Sequence, residues 1–285
     1  MNLSVNLSDW IGRTESVQDI VTATPIAALA ATFNRPASRP ANGESIPNLW
    51  HWLYFLPIAL QSELGADGHP KRGGFLPPVP QPRRMWAGSQ FEFLSPLRVG
   101  DNIERQSTIE NVTEKTGRSG TLVFVRVKHV ISREQAESPA LIEFHDIVYR
   151  DAPQPGAPQP QPVTAPDHSR WSRRIDPDDV LLFRFSALTF NGHRIHYDRQ
   201  YVTREEGYPG LVVHGPLIAM LLLDAMRHEL GDPELASFQF RAIRPTFDIN
   251  HFFVCGQTEA DGKTVHLWAK DHDGYLTMDA TAVLR

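Results

Sequence analysis

The stretch Phe185-Ser186-Ala187-Leu188-Thr189-Phe190-Asn191-Gly192-His193-Arg194-Ile195-His196-Tyr197-Asp198 decides how this chain is read, together with Tyr208-Pro209-Gly210-Leu211-Val212-Val213-His214-Gly215-Pro216-Leu217 downstream. Two histidines and a carboxamide, Asn191, His193 and His196, fall within six residues. After the second segment, Leu217, Ile218, Leu221, Leu222 and Met226 recur at helical spacing and predict a helix over 213–230, with Gly231 as its left-handed terminator. Imidazoles titrate near neutrality and can both take and give a proton, so a His-bearing loop that leads into an apolar helix is a candidate site of proton chemistry. Gly215 stands where that helix opens, with its N–H at the positive end of the helix dipole.

Outward from this stretch, 180–185 predicts a short strand. The runs 236–247, 252–259, 264–270 and 275–284 predict four more, with Asp261-Gly262 and Asp273-Gly274 as hairpin turns. Upstream, 152–166 holds six prolines and almost nothing to bury. Such a segment favours extended polyproline II, and at ~3 Å per residue it spans ~45 Å. It divides the chain into a first unit, 1–151, and a second, 167–285. The first unit repeats the pattern of the second: a helix over 47–64, then strands over 89–94, 102–113, 121–131 and 141–149. Pattern alone gives an α+β class. The loop 72–84 is rich in Gly and Pro and fits neither a central helix nor a strand. Covering a binding tunnel and a plain surface excursion are both open to it.

Of 285 residues, 41% are hydrophobic and 21% charged, the composition of a soluble globular protein with ample core. A net charge of −5 removes the basic surplus that nucleic-acid binding needs. The single cysteine, Cys255, lies in an apolar run and reads as a buried structural thiol. The N-terminus has no basic start followed by a continuous apolar segment, and no run is long enough to span a bilayer. The expectation is a soluble, cytoplasmic protein.

The loop and the helix entry His214-Gly215-Pro216 resemble the hydratase signature of the MaoC-like, hot-dog-fold enoyl-thioester hydratases and dehydratases. Residues 185–198 are similar over their full length to the hydroxyacyl-thioester dehydratase type 2 branch. The turn 95–101 also resembles the family's sheet-entry turn. The resemblance implies a double hot-dog fold, two long helices each wrapped by an antiparallel sheet, with a degenerate first unit supporting the substrate pocket and an active second. It implies His196 as the catalytic histidine, Asn191 beside the attacking water, and the Gly215 N–H as donor to the thioester oxyanion. Most MaoC-like enzymes carry Asp where this chain has Asn191. An amide is no base, so His196 moves the protons, alone or with Asp198, which otherwise serves as a helix cap. In the type 2 branch, Asn at this position is the norm. No cofactor is implied, because CoA enters as part of the substrate.

The whole-chain pattern is similar to mesaconyl-CoA and itaconyl-CoA hydratases, which implies hydration of a C5 dicarboxylic thioester to citramalyl-CoA. The free carboxylate then needs a cation, for which Arg184, Arg194 and Arg84 are candidates, with His193 and His214 as further pocket residues. His193-x-x-His196 has metal-like spacing but no companion ligand, and no metal is expected. Three other readings stay open: a 3-hydroxyacyl-thioester dehydratase of fatty-acid synthesis, a hot-dog thioesterase, and a non-catalytic acyl-CoA-binding protein. The expected partner is an acyl-CoA, with neither nucleic acid nor membrane. The fused pair satisfies the usual pairing of hot dogs internally, and a homodimer of the double unit remains open.

Overall fold

The computed structural model describes residues 6–36, 39–117, 120–151 and 161–285. The N-terminal unit contains β1 (Thr14–Ile20), α1 (Ala23–Thr32), β2 (Arg83–Phe93), β3 (Asn102–Gly117), β4 (Gly120–Arg133) and β5 (Leu141–Arg150). The C-terminal unit contains β6 (Trp171–Ile175), α2 (Asp179–Leu188), α3 (Arg199–Arg204), α4 (Gly215–Leu230), β7 (Leu235–Ala242), β8 (Phe252–Thr258), β9 (Thr264–Asp271) and β10 (Leu276–Leu284). The strands form one ten-stranded sheet in the order β1-β3-β4-β5-β2-β7-β10-β9-β8-β6. From its outer edge inward, the first unit runs β1-β3-β4-β5-β2 and the second β6-β8-β9-β10-β7, the same order shifted by five strands. One topology is thus used twice. The copies meet where β2 pairs antiparallel with β7, from Gly88↔Arg241 to Glu92↔Ser237.

In the C-terminal unit every residue of α4 from Leu217 to Arg227 is buried. A helix that is apolar nearly all round must be covered on all sides, and here β8 and β9 pack against it. Pro216 lies in its first turn and Gly231, at φ 76°, ends it. The turns Asp261-Gly262 and Asp273-Gly274 join β8 to β9 and β9 to β10, with both glycines at positive φ. This is the hot-dog arrangement, and the class is α+β as expected.

The N-terminal unit departs from expectation. No long helix spans 47–64; two 3₁₀ turns form instead, Trp50–Leu53 and Gln61–Glu63. Leu49 and Phe55 bracket the first with φ of 70° and 54°. Pro57 then disfavours a helical residue before it. His51 and Trp52 bond the buried carboxylate of Glu143 on β5 instead. The helix of this unit is α1, shorter and nearer the N-terminus.

The strand expected over 180–185 is helix α2, because Asp178 caps it by accepting the Leu181 N–H at 2.7 Å. The strand expected over 236–247 stops at Ala242, and Thr246 and Phe247 turn to hold Val213 and Val212. β1 and β6, which edge the sheet, were not expected, and β2 begins six residues before the expected 89. The loop 72–82 packs Val79 into a cluster with Ile109, Val123 and Tyr149. It is tied by the Arg72 guanidinium to the carbonyls of Val79 (2.6 Å) and Pro82 (2.7 Å), so it caps that end of the sheet. Residues 152–160 of the proline-rich linker lie outside the described residues. Cys255 is fully buried beside Ser172. No helix among the described residues is long and apolar enough to cross a membrane.

Candidate active site

The His-bearing loop begins at the end of α2 and is shaped by its own side chains. The Asn191 N–H donates to Ser186 O (2.8 Å), and Asn191 Oδ1 accepts the His193 N–H (3.0 Å). A 3₁₀ turn, Arg194–His196, follows, and Asp198 caps α3 by accepting the Tyr201 N–H at 2.9 Å. His196 ends up 8% exposed, with Nδ1 2.7 Å from Val212 O. A carbonyl can only accept, so Nδ1 carries the hydrogen and Nε2 keeps its lone pair. The Val212 segment is itself fixed, since Val212 N–H donates to Ile195 O and Val213 N–H to Thr246 O.

The His214 ring stacks on His196 at 3.7 Å between centroids and 17° between planes, and its Nε2 is 2.8 Å from Ser186 Oγ. His214 is therefore a fully buried wall behind His196 rather than a group open to a ligand. His193 meets the His196 ring edge-on at 5.5 Å. Burial, reinforced by the neighbouring His193, pushes His196 down to about 3. Burial and His69 push His193 down to about 3 as well. Both rings are neutral at physiological pH, and His196 presents an unprotonated Nε2.

Gly215 is the first residue of α4, directly after His214. The first N–H groups of a helix have no intrahelical partner. A methyl placed on Gly215 would meet nothing within 4 Å, so close packing is not what keeps this position small. There is room for a ligand atom against an N–H at the positive end of a buried helix.

A second group of side chains arrives from the N-terminal unit and was not found in the sequence. The Arg194 N–H donates to Asp67 O (2.9 Å) and Arg194 Nη1 to Ala66 O (3.0 Å). Gly68, at φ 89°, touches Gly192 so closely that a Cβ would stand 1.9 Å from the Gly192 carbonyl oxygen. This contact lays the His69 ring on His193 at 4.1 Å between centroids. Asp67 Oδ2 holds His69 Nδ1 at 3.2 Å. Burial acts against the Asp67 charge, yet the hydrogen bond from His69 holds its carboxyl below the usual range. The only local signal was the Asp-Gly-His turn, and nothing in it announces a partner more than a hundred residues away.

The expected arginines separate. Arg194 is consumed: Nε and Nη2 bind Asp198 Oδ2 at 3.0 and 2.7 Å, and the guanidinium lies 4.2 Å from the Tyr201 ring centroid. It fastens the loop and is not free for a substrate. Asp198 is occupied by the same bond and by its cap. Arg184 is exposed on α2, two residues from Ser186. Positions i and i+2 face apart on a helix, so Arg184 points away from the site that Ser186 faces.

Arg84, at the start of β2, is half-buried and makes no ion pair or hydrogen bond among the described residues. Its charge reaches both His69 and His193. Asp67, His69 and His193 place ligand atoms within 4.8 Å of one another, close enough to hold a metal ion. The positive charges of Arg84 and Arg72 beside His69 oppose a cation there.

Residues 49–248 match the family model for hydroxyacyl-thioester dehydratase type 2. The chain belongs to that family. This type 2 family member is 49% identical over 278 residues to the mesaconyl-C4-CoA hydratase of Chloroflexus aurantiacus, covering 96% of each chain. It is 26% identical over 271 residues to the mitochondrial hydroxyacyl-thioester dehydratase type 2 of Schizosaccharomyces pombe, covering 84% of this chain and 88% of the relative. Among solved structures, a MaoC-like dehydratase superposes with a TM-score of 0.73 at 13% identity, covering 98% of this chain and 99% of the other, which supports the hot-dog fold of the type 2 member.

Proposed function

We propose that this protein is a cofactor-free hydro-lyase that reversibly adds water to the double bond of a C5 dicarboxylic acyl-CoA, mesaconyl-C4-CoA or itaconyl-CoA, giving citramalyl-CoA. The observation that carries the chemistry is the fixed tautomer of His196, with Nδ1–H on Val212 O and a free Nε2 lone pair. The observation that supports the substrate is the 49% identity to a mesaconyl-C4-CoA hydratase.

On mesaconyl-C4-CoA, whose double bond is conjugated with the thioester, His196 Nε2 takes a proton from water as the oxygen bonds to Cβ. The electron pair of the double bond moves onto the thioester oxygen, and the Gly215 N–H at the start of α4 receives the developing charge. The imidazolium then returns its proton to Cα. One base that becomes the acid delivers hydroxyl and hydrogen to the same face. Asn191, whose Oδ1 is taken by the His193 N–H, keeps the loop in shape and leaves its amino group for the water. A CoA thioester is an intracellular substrate, and we assign the protein to the cytoplasm.

The test is a panel of thioesters followed at the enoyl-thioester absorbance band. Mesaconyl-C4-CoA is expected to lose the band reversibly without releasing thiol, and itaconyl-CoA, whose double bond is not conjugated with its thioester, is followed by the citramalyl-CoA formed. His196→Ala should lower kcat by at least ~10²-fold, the usual contribution of general acid–base catalysis, with folding unchanged. Better turnover of crotonyl-CoA and longer enoyl chains would make it a fatty-acid-type dehydratase. Release of free thiol would make it a thioesterase.

A further inference from the structure

The His-bearing loop of the C-terminal unit rests on a hairpin that belongs to the N-terminal unit. Residues 63–71 fold back on themselves: Leu64 and Pro70 form an antiparallel bridge, and the Lys71 N–H donates to Glu63 O at 2.8 Å. At the tip, the Gly65 N–H donates to His69 O (2.7 Å) and the Gly68 N–H to Gly65 O (3.0 Å). Asp67 closes the tip from within. Its Oδ1 accepts the His69 N–H at 3.1 Å, and its Oδ2 stands 3.2 Å from His69 Nδ1. A carboxylate only accepts, so His69 Nδ1 carries the hydrogen and the ring is held in one orientation.

This tip is fitted to residues 192–194. The Arg194 N–H donates to Asp67 O at 2.9 Å and Arg194 Nη1 to Ala66 O at 3.0 Å. Gly68 and Gly192 meet backbone to backbone: a Cβ on Gly68 would stand 1.9 Å from Gly192 O, and one on Gly192 2.9 Å from Gly68 O. What the fit delivers is the His69 ring, laid on His193 at 4.1 Å between centroids. The His193 backbone is tied to Asn191 Oδ1 and to the His196 N–H, but its ring makes no hydrogen bond among the described residues. The aromatic contacts that place this ring are His69 on one side and His196, edge-on at 5.5 Å, on the other. His196 is fixed elsewhere by Val212 O and the stacked His214 ring. Resting on the reading of His196 as the base, we propose that His69, oriented by Asp67, is a positioning residue for the reaction. It holds the His193 ring against His196 and so keeps the His196 ring, with the lone pair on its Nε2, in one direction. A base acts only within hydrogen-bond reach of its proton, and a misplacement of ~1 Å costs up to ~10²-fold in rate. The first unit, which supplies none of the proton-transferring groups, is through this contact a working part of the site.

The experiment measures kcat, KM and the urea midpoint of His69→Ala, His69→Phe, Asp67→Asn and Gly68→Ala, on the thioester that wild type hydrates fastest, with His196→Ala as the reference. His69→Ala leaves the His193 ring without its neighbour. It should lower kcat on the order of 10-fold and leave KM within about twofold, the pattern of a lost transition-state alignment rather than of lost binding. His69→Phe returns a flat ring to the same place and should recover much of that loss, short of wild type because Asp67 no longer orients it. Asp67→Asn keeps an acceptor for the His69 N–H and should fall less than His69→Ala. Gly68→Ala forces the tip off Gly192 and should fall at least as far. Unchanged kcat in His69→Ala, with or without a rise in KM, overturns the proposal alone when His196→Ala is inactive. A loss that follows the urea midpoint and that His69→Phe does not relieve makes the hairpin a structural strut and overturns it as well. Wild-type kcat in His196→Ala overturns the reading of His196 as the base and this proposal together.

Discussion

Asn191 shows how one atom can change the division of labour in a catalytic loop. Its Oδ1 closes a turn onto the His193 N–H, a bond that a carboxylate oxygen makes equally well. Asn191→Asp should therefore preserve the loop and keep measurable hydratase activity, with a new dependence of kcat on the ionisation of the carboxyl. Asn191→Ala removes both the turn and the group that faces the water, and should fall at least tenfold below wild type. Steady-state kinetics of the two variants on the same thioester decide the matter: an Ala variant equal to wild type would show that neither the turn nor the water depends on Asn191. The surroundings of His196 were legible at this scale because Val212, His214 and the Ser186 that bonds His214 lie within the quoted stretches. His69 and Asp67 were not, since only the fold brings them there. Arg194, bonded to Asp198, and Arg184, exposed on α2, look alike in the sequence, which shows a charge but not its partner.

Elements whose reading rested on period and turn chemistry came out nearly residue for residue: α4 with its terminating Gly231, and the three strands joined by Asp-Gly turns. Elements decided by a tertiary partner did not. The run Val180-Leu181-Leu182-Phe183 has strand-like composition, and the cap Asp178 overrides it. The aromatic run at 50–54 has helix-like apolar spacing, and a buried acid overrides it. Glu143 on β5 is 2% exposed and bonds His51 Nε2 at 3.1 Å, Trp52 Nε1 at 3.0 Å and His145 Nε2. His145 Nδ1 continues to His129 Nε2 at 3.3 Å, and His129 Nδ1 to Ser107 Oγ at 2.9 Å. Burial alone would raise the Glu143 carboxyl, but His145 and His51 hold it well below the carboxylate range. Glu143→Leu leaves three donors without an acceptor in the core, and breaking a buried pair in this way costs about 3–5 kcal/mol. A urea titration should show that loss. A midpoint within experimental error of wild type would mean that the 3₁₀ turn is held by packing alone.

For the whole molecule, the repeated strand order permits two units to specialise while sharing one sheet, and seven histidines form two groups, His69, His193, His196 and His214 at the His-bearing loop and His51, His129 and His145 around Glu143. That concentration has a thermodynamic consequence. Burial lowers the proton affinity of His69, His129, His193, His196 and His214 below the ordinary value of 6.5, with His193 and His196 at about 3. In the unfolded chain each of these rings takes up a proton near its ordinary value, whereas in the folded chain it does not. Between about 6.5 and 3 the unfolded state therefore binds more protons, and stability rises with pH across that window. The stabilisation is fully present above pH 6.5 and is lost as the pH falls. Each neutral imidazole adds up to about 1.4 kcal/mol per pH unit to the slope. Asp67 and Glu143, both held below the carboxylate range, steepen the fall below pH 4.5 in the same direction. Urea midpoints measured from pH 8 to pH 4 should be nearly level down to about pH 7 and then drop with a slope corresponding to several protons. The acid limb of kcat/KM should lie well below the ordinary histidine range and be set by loss of the fold before His196 takes up a proton. Stability that stays level to pH 4.5 would mean that these rings accept protons in the folded state. An activity limb near 6.5 would mean that His196 does so.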